Sequence, residues 1–455
     1  MLKDETLDAI ANRGDNIGQF VSFNPQGAQR FARVRNIPPM YQFPSLEDAI
    51  CAIMRENVPY VNIRSFLPKK PDGNPFIIGK NGYETVPKIV AKSRELMREG
   101  YHIIINEGID TKSGGFSGVL LGNTAEFATN DTPRCVEKGN CAVMGRSVMY
   151  DFVQTVYHNA IRIKYGSEYR VEFSVHPSPV GYAKQHQIIW QVEQVGINHL
   201  PAPQPQWPNR VSEDMGDKAY GLLMAELYGF PVPKTLVVGR LIAPFTFGDP
   251  TRSPRECWRR TCPRVQQPGR FTTINGQVDP FALMQTEDPS GTDISAIIFQ
   301  DDVEALYSGA AVTDINSELL IEGTSGRGDT FMVGRTAPTS ELPSHVHGNI
   351  SYLWERLSAA FGPVRFEWCY DTSGKAWVMQ LHTGKSSSAG NTIYPGEPAE
   401  FVVFNTNRGL EDLRLLVTTA QTENFGIILK GNVGITSHFG DLLRRGRVPS
   451  RLERA

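Results

Sequence analysis

The chain has 455 residues, with 46 Lys plus Arg against 48 Asp plus Glu. A balance this even leaves no global electrostatic footprint for nucleic acid or an anionic membrane. No apolar run approaches the ~18 residues that cross a bilayer, and the first residues, MLKDETLDAIANRGDN, lack the apolar core of a signal peptide. The six cysteines are scattered without a CxxC, the usage expected of reduced thiols in a cytoplasmic protein.

In chain order, Leu46 to Glu56 reads as helix among Pro-broken loops, and Tyr60 to Phe66 as strand. Val86 to Glu99 has helical spacing, and His102 to Glu107, HIIINE, is a buried-strand pattern. Strand-like sequence follows Gly114-Gly115-Phe116 through Phe127. A helix over Ser147 to Ile163 then leads to a strand pair, Arg170 to Val175 and Gln187 to Val192. Residues 200–210 hold four prolines and mark a boundary. Beyond it come a helix at Gly216 to Tyr228 and a strand at Val232 to Val238. Strand-like pieces follow at Cys257 to Cys262, Ile294 to Phe299 and Ala310 to Met332. His345 and His347 alternate on what reads as a short loop with no third ligand nearby, ahead of a helix at Ile350 to Phe361. Ser386 to Pro398 is a second boundary. The tail reads strand, helix, strand, helix at Glu400 to Phe404, Gly409 to Ala420, Gly426 to Leu429 and Ser437 to Arg445. The expected domains are residues 1–205, 206–395 and 396–455.

Arg365 to His382, RFEWCYDTSGKAWVMQLH, predicts a β-hairpin, because two strand-like runs flank a turn with Gly374 where positive φ is tolerated. Pairing Asp371 with Ala376 puts Glu367 directly opposite Gln380, so both project from one face within contact distance. A carboxylate and an amide oxygen are hard ligands of the kind that suits Mg²⁺ carrying nucleotide phosphates.

The two halves echo each other. Ile63-Arg64-Ser65-Phe66-Leu67-Pro68 matches Arg259-Arg260-Thr261-Cys262-Pro263, and each precedes a Pro/Gly loop ending in Phe, at Phe76 and Phe271. The run from Ile103 matches the run from Ala296. Arg170 to Phe173 matches Arg365 to Trp368, and Ile188 to Gln191 matches Trp377 to Gln380. Echoes in one order predict an internal duplication.

A longer series of motifs runs from Met215-Gly216-Asp217-Lys218-Ala219 through Gly229-Phe230-Pro231-Val232-Pro233, Arg260-Thr261 and Pro268-Gly269-Arg270-Phe271. It continues with Ile298-Phe299-Gln300, Ser308-Gly309-Ala310, Ile321-Glu322-Gly323, Phe366-Glu367-Trp368 and Met379-Gln380. In this order the stretch Ser212 to His382 resembles the nucleotide-binding region of phosphoenolpyruvate synthase and pyruvate phosphate dikinase, an ATP-grasp fold. The tail, Gly434-Ile435-Thr436-Ser437-His438 with Leu442-Leu443-Arg444-Arg445 and Val448-Pro449, resembles the phosphohistidine segment of the same enzymes' swivelling domain. The chain departs from the pattern in places. His382 stands where the family has an Arg two residues after the Gln, and Arg365 replaces an acid before the Ile-Glu-Trp strand. No run of eight βα units answers to the family's pyruvate-binding barrel, so the full synthase reaction is not expected of this chain alone.

The resemblance implies an α/β (α+β) fold: a degenerate and a complete ATP-grasp-like module in tandem, then a small swivelling-like segment. It implies ATP and Mg²⁺. Lys218 and Arg260 would hold phosphates, and the loop at Gly269 and Arg270 would bring backbone close to them. Gln300 and its neighbours would meet the adenine edge through backbone groups, and Asp302 the ribose. Glu322, Glu367 and Gln380 would hold Mg²⁺, and His438 would carry a phosphoryl group, chemistry open to an imidazole near neutral pH. The first module keeps Arg64, Glu107, Glu172 and Gln191 without a Lys-bearing start helix, as a scaffold or a second ligand site. The expected activity is a dikinase-type phosphotransferase acting on a small-molecule acceptor. A carboxylate–amine ligase working through an acyl phosphate and a non-catalytic nucleotide-binding protein are the alternatives.

Overall fold

The computed structural model of the chain describes residues 2–55, 58, 60–67, 85–110, 114–196, 203–250, 257–265, 267, 270–271, 273–276, 278–334, 337–339 and 341–453. Backbone contacts group residues 1–150 and 159–203 into one compact unit, and 151–158 with 204–455 into another. The architecture is the expected α/β mixture of helices and sheets, and most of its strand pairs are antiparallel.

The first unit opens with α1 (Lys3–Asn12), β1 (Phe20–Phe23), β2 (Gln29–Arg33), α2 (Leu46–Met54), β3 (Val61–Phe66), α3 (Val86–Arg98) and β4 (His102–Glu107). Its first sheet has the order β2-β1-β4-β3. The continuous apolar run of β4 suits an inner strand, whose side chains meet protein on both faces. Ser45 caps α2 by accepting from the Asp48 amide. The apolar positions of α2 and α3, Ile50, Ile53, Ile89 and Leu96, share one core with Ile63, Ile103 and Ile105. β5 (Phe116–Leu121), β6 (Thr124–Thr129), β7 (Ala142–Gly145), β8 (Tyr169–Val180) and β9 (Gln185–Gln194) follow and form a sheet of order β7-β6-β5-β8-β9; α4 (Arg146–Tyr157), between β7 and β8, has residues 151–157 grouped with the second unit. Helix α4 is shorter than expected, because His158 turns to a φ of +55°.

The second unit begins with α5 (Arg210–Met215) and α6 (Asp217–Leu227). Strands β10 (Thr235–Gly239), β11 (Phe245–Phe247), β12 (Cys257–Pro263), β13 (Thr273–Asn275) and β14 (Ile294–Asp301), with α7 (Pro280–Glu287), build a sheet of order β11-β10-β14-β12-β13. Next come β15 (Ala305–Thr313), β16 (Leu319–Ser325), α8 (Asp329–Met332), α9 (Ser344–Phe361), β17 (Val364–Asp371) and β18 (Ala376–Thr383), in a sheet of order β16-β15-β17-β18. Helix α9 starts at Ser344, so His345 and His347 lie in its first turn rather than on a loop. The last sheet, β19-β22-β21-β20, joins β19 (Thr392–Tyr394) to three parallel strands, β20 (Phe401–Asn405), β21 (Gly426–Lys430) and β22 (Ser450–Glu453). Helices α10 (Gly409–Glu423) and α11 (His438–Gly446) supply the crossovers.

The duplication read from the sequence is a repeat of register. In the first unit Ile104 of β4 lies opposite Ser22 of β1 and Arg64 of β3. In the second, Ile298 of β14 lies opposite Val237 of β10 and Arg260 of β12. One row of the β6-β5-β8-β9 sheet reads Glu126, Val119, Glu172, Gln191. The matching row of β16-β15-β17-β18 reads Glu322, Ala310, Glu367, Gln380. Each row is followed by a register shift that leaves one residue unpaired in the last strand, Trp190 in one unit and Met379 in the other.

That shift corrects the hairpin expectation. Glu367 does lie opposite Gln380, but Tyr370, not Asp371, pairs with Ala376, and the bulge at Met379 makes up the difference. Asp371 instead holds the turn: its Oδ1 accepts from the Ser373 and Lys375 amides and the Ser373 hydroxyl, and its Oδ2 from the Trp377 indole.

None of the six cysteines is joined in a disulfide. Among the described residues no helix is long and apolar enough to cross a membrane.

The row next to Glu322, Ala310 and Glu367 consists of Gly323, Gly309 and the buried Trp368, whose indole lies over Gly323. A Cβ on Gly309 would stand 2.1 Å from the Glu322 carbonyl oxygen. Gly309→Ala is expected to destabilise the fold by about 1–3 kcal/mol, seen as a lower urea midpoint at unchanged slope. His176 tests the first unit. Burial pushes its imidazole down to about 4, with Asp110 opposing. Between its unfolded pKa near 6.5 and about 4, the unfolded chain binds a proton that the native state refuses. Stability therefore falls as pH drops through that window, by roughly 3 kcal/mol in all, and urea titrations of His176→Gln across it should show a flatter profile.

Candidate functional site

The row of Glu322, Ala310, Glu367 and Gln380 puts two carboxylates and an amide on one sheet face. Strands lie about 4.8 Å apart, so Glu322 and Glu367 are separated by roughly two strand spacings with only the Ala310 methyl between them. Residues along β17 alternate: Phe366 and Trp368 are buried in the core, while Arg365 and Glu367 stay half-exposed on the row's side. Helix α6 reaches this face because Gly221 lets it lie against β18. A Cβ there would sit 2.1 Å from the Leu381 carbonyl oxygen.

The start of α6 thereby delivers Asp217 and Lys218. Asp217 Oδ2 lies 2.8 Å from His382 Nδ1, and His382 Nε2 lies 2.5 Å from Gln380 Nε2. Burial works against the Asp217 charge, but His382 and the more distant Arg445 and Arg365 keep its carboxyl below the usual range. Burial likewise lowers the Lys218 ammonium, which has Cys262, Arg260, Glu367 and Asp217 as its electrostatic neighbours. From β12, Arg260 Nη1 approaches the Glu367 carboxylate to 3.8 Å and donates to the Met379 carbonyl at 3.4 Å.

The C-terminal segment closes on the same residues. Glu322 Oε2 accepts from both the amide and the hydroxyl of Thr436, at 2.8 and 2.9 Å. Ser437 precedes α11, and His438 is the first residue of that helix. Asp441 lies 3.5 Å from Arg365 and 2.5 Å from Arg444. Burial opposes its charge, and those two guanidiniums outweigh burial and hold the carboxyl far below its ordinary range. Burial also lowers His438, with Glu367 and Asp441 opposing and Lys218 and Arg260 reinforcing, which keeps the imidazole neutral at pH 7.

Of the residues singled out from the sequence, Lys218, Arg260, Glu322, Glu367, Gln380 and His438 come together here. Others do not. Gln300 is fully buried on the inner strand β14, flanked by Thr235 and Trp258, so its backbone is committed to the sheet and cannot meet an adenine edge. The chain leaves the ladder just beyond, at Asp302-Val303-Glu304. Asp302 is also committed, since its carboxylate accepts from the Trp258 indole and from Arg327, each at 2.7 Å. Arg270 is half-exposed and pairs with Gln267 and Asp293, not with the row. Gly269, like Phe76 of the repeat, lies outside the described residues. In the first unit Glu107 is not on the duplicated row. It accepts from the Gln19 amide and side chain and pairs with Arg35 at 2.7 Å.

The three expected metal ligands share a row, yet each carboxylate or amide already has a protein partner. Among the described residues no group of three or more His, Cys, Asp or Glu could hold a metal ion. This donor set fits Mg²⁺ arriving with phosphates, a state that needs only one or two carboxylates from the protein. The anion side fits too. Arg260 Nε is buried without a hydrogen-bond partner, and a buried donor in that state favours an acceptor such as a phosphate oxygen; His438 Nδ1 is likewise buried without a partner. Sequence reading overlooked Asp217 and His382 as a pair, Thr436, Asp441 and Arg327. Only the departure at His382 from the resembled pattern could have signalled that pair.

No protein-family profile matches the chain, and no curated protein does. Solved structures overlap it in part. They include macrocyclase MdnB from Microcystis aeruginosa MRC, at 11% identity over 39% of this chain and 54% of that one, TM-score 0.24. VanG D-Ala:D-Ser ligase from Enterococcus faecalis matches at 14% over 37% and 52%, TM-score 0.26. A RimK domain protein, ATP-grasp, from Sphaerobacter thermophilus DSM 20745 matches at 15% over 37% and 58%, TM-score 0.23. The chain spans about half the length of each of these proteins. Overlaps this partial decide neither fold nor chemistry, which rest on the residues above.

The Thr436 contact gives a direct test of how the C-terminal segment is held. Thr436→Val removes one of the two bonds to Glu322, worth about 0.5–1.5 kcal/mol. Amide hydrogen exchange in α11 should quicken by roughly 2- to 10-fold while exchange in α2 and β4 stays unchanged.

Proposed function

We propose that the second unit binds a magnesium–nucleoside triphosphate, ATP by resemblance, as an ATP-grasp module, and that His438 accepts a phosphoryl group from it. The observation that carries this reading is the position of His438: a neutral imidazole at a helix start, among Lys218, Arg260 and Glu367. Neutral imidazole has the lone pair a nucleophile needs. The two cations offset phosphate charge, and the carboxylates of the row offer ligands to the metal. Mg²⁺ supplies charge neutralisation on the phosphate oxygens. In the transfer a nitrogen–phosphorus bond forms as a phosphoanhydride P–O bond breaks, with the electron pair leaving on the departing phosphate oxygen. The helix N-terminus then offers its amides to the phosphorylated ring. A small molecule would be the final acceptor, and the setting would be the cytoplasm.

A second reading is ligase chemistry, the activity that the Enterococcus protein's name states. It would take the same nucleotide site, pass the phosphoryl group to a substrate carboxylate, and leave His438 a structural residue.

Calorimetry with ATP and Mg²⁺ tests the site. Glu367→Ala should weaken binding at least about tenfold, the loss expected when a charged partner is removed. Wild type that binds no ATP would sink both readings. With phosphate-labelled ATP, wild type should take up acid-labile, base-stable label and His438→Gln should take up none while still binding ATP. Undiminished ATP-dependent product formation by His438→Gln would select the ligase.

A further inference from the structure

The contact between Gln380 and His382 is nitrogen to nitrogen, Nε2 to Nε2 at 2.5 Å. Two N–H groups cannot face each other at that distance, so one nitrogen must be an acceptor. An amide nitrogen has no lone pair to offer, whereas an imidazole nitrogen does when its ring partner carries the proton. His382 Nδ1 faces Asp217 Oδ2 at 2.8 Å, and a carboxylate only accepts. With the Gln380 nitrogen turned to the ring, the proton belongs on Nδ1 and Nε2 is the acceptor; the amide turned over would instead place its oxygen on an Nε2–H of a doubly protonated ring. The Gln380 NH₂ is then fixed on the ring, and the amide oxygen becomes the end offered to a ligand.

We propose that Asp217 and His382 form a positioning pair that holds the Gln380 amide with its oxygen presented as a cation ligand beside Glu367. Both members are nearly fully buried: the His382 side chain is 10% exposed and that of Asp217 is 7%. Both come from elements brought together by the close approach at Gly221. His382 also stands where the chain departs from the pattern it resembles. Each member acts through its neighbour, as the partners of metal ligands do when they select a tautomer and fix an orientation. The inference rests on the nucleotide–metal reading above and assigns the residues that make Gln380 a ligand in it.

Two measurements on the full chain test it. The first needs no nucleotide. In ¹⁵N-histidine spectra of the unliganded protein, His382 should show a protonated Nδ1 and an unprotonated Nε2, and a protonated Nε2 overturns the pair. The second is ATP calorimetry across Mg²⁺ concentrations. His382→Leu should raise the half-saturating Mg²⁺ about tenfold and leave metal-free ATP affinity within about twofold of wild type. Asp217→Ala should behave alike, while Asp217→Asn, whose oxygen still accepts from Nδ1–H, should stay near wild type. His382→Gln serves if the leucine variant does not fold. Its oxygen can accept the Gln380 NH₂, so it too should hold the wild-type Mg²⁺ requirement. Equal losses with and without Mg²⁺ would reduce the pair to a structural contact and overturn the proposal. Wild type that binds no ATP at any Mg²⁺ concentration would defeat the nucleotide reading instead, and the tautomer result would still decide the pair.

Discussion

The bulge at Met379 moves β18 one residue along β17, and it puts Gln380 on the row of Glu322 and Glu367 and His382 within reach of Asp217. A one-residue slip in an antiparallel pair exchanges the two faces of a strand. Without the bulge, Glu367 would face Met379, and the amide would turn toward the core that holds Trp368. With it, Glu322, Glu367 and Gln380 share a row, His382 follows two residues on, and Arg365 stands opposite His382. The first unit has the same irregularity at Trp190. A feature that leaves one residue unpaired and recurs at the matching place in both units is part of the design that was duplicated.

Small residues do the complementary work. Ala310 stands between two carboxylates that a larger side chain would mask. Gly309 and Gly323 leave room on the other face for the Trp368 indole. Gly221 brings a helix start onto β18. The charges gathered this way are costly to bury singly, and nearly all are met in pairs: Asp217 with His382, Asp441 with Arg365 and Arg444, Glu367 with Arg260. Buried polar atoms without a partner remain at Arg260 Nε, His438 Nδ1, Asp217 Oδ1 and Arg444 Nε; the first two belong to residues beside Glu367.

The hold of Thr436 on Glu322 ties the C-terminal segment to the same row. A carboxylate that receives two protein donors is occupied as a metal ligand on that oxygen, so metal loading and docking of the His438 helix draw on one group. The proposed phosphoryl transfer to His438 would require both, and the second oxygen of Glu322, together with Glu367, would be what the site offers for meeting both demands.

Much of this was legible in the sequence because it is local. Strand and helix periods at His102 to Glu107, Val86 to Glu99 and Ile294 to Phe299 are set by side chains a few positions apart, and those elements stand close to their expected bounds. The repeat was legible because duplicated strands keep their residue types, and the opposition of Glu367 to Gln380 because a short turn constrains a hairpin. What the sequence left open is what distance in the chain hides. The turn register depends on the Asp371 carboxylate capturing its own loop and on the compensating bulge, neither of which periodicity encodes. Gln300 read as an accessible hinge residue, yet strands on both sides of it close its backbone. Asp217 meets His382, and Thr436 meets Glu322, only because a helix crosses a sheet at a glycine and a distant tail packs on the same face. By itself the sequence determined the elements, their repeat and the residue types of the proposed phosphate- and metal-binding set, since these follow from local pattern. The tertiary structure alone decided which of those residues share a face and which polar atoms stay unpaired, since burial and hydrogen-bond partnership are set by contacts across hundreds of residues.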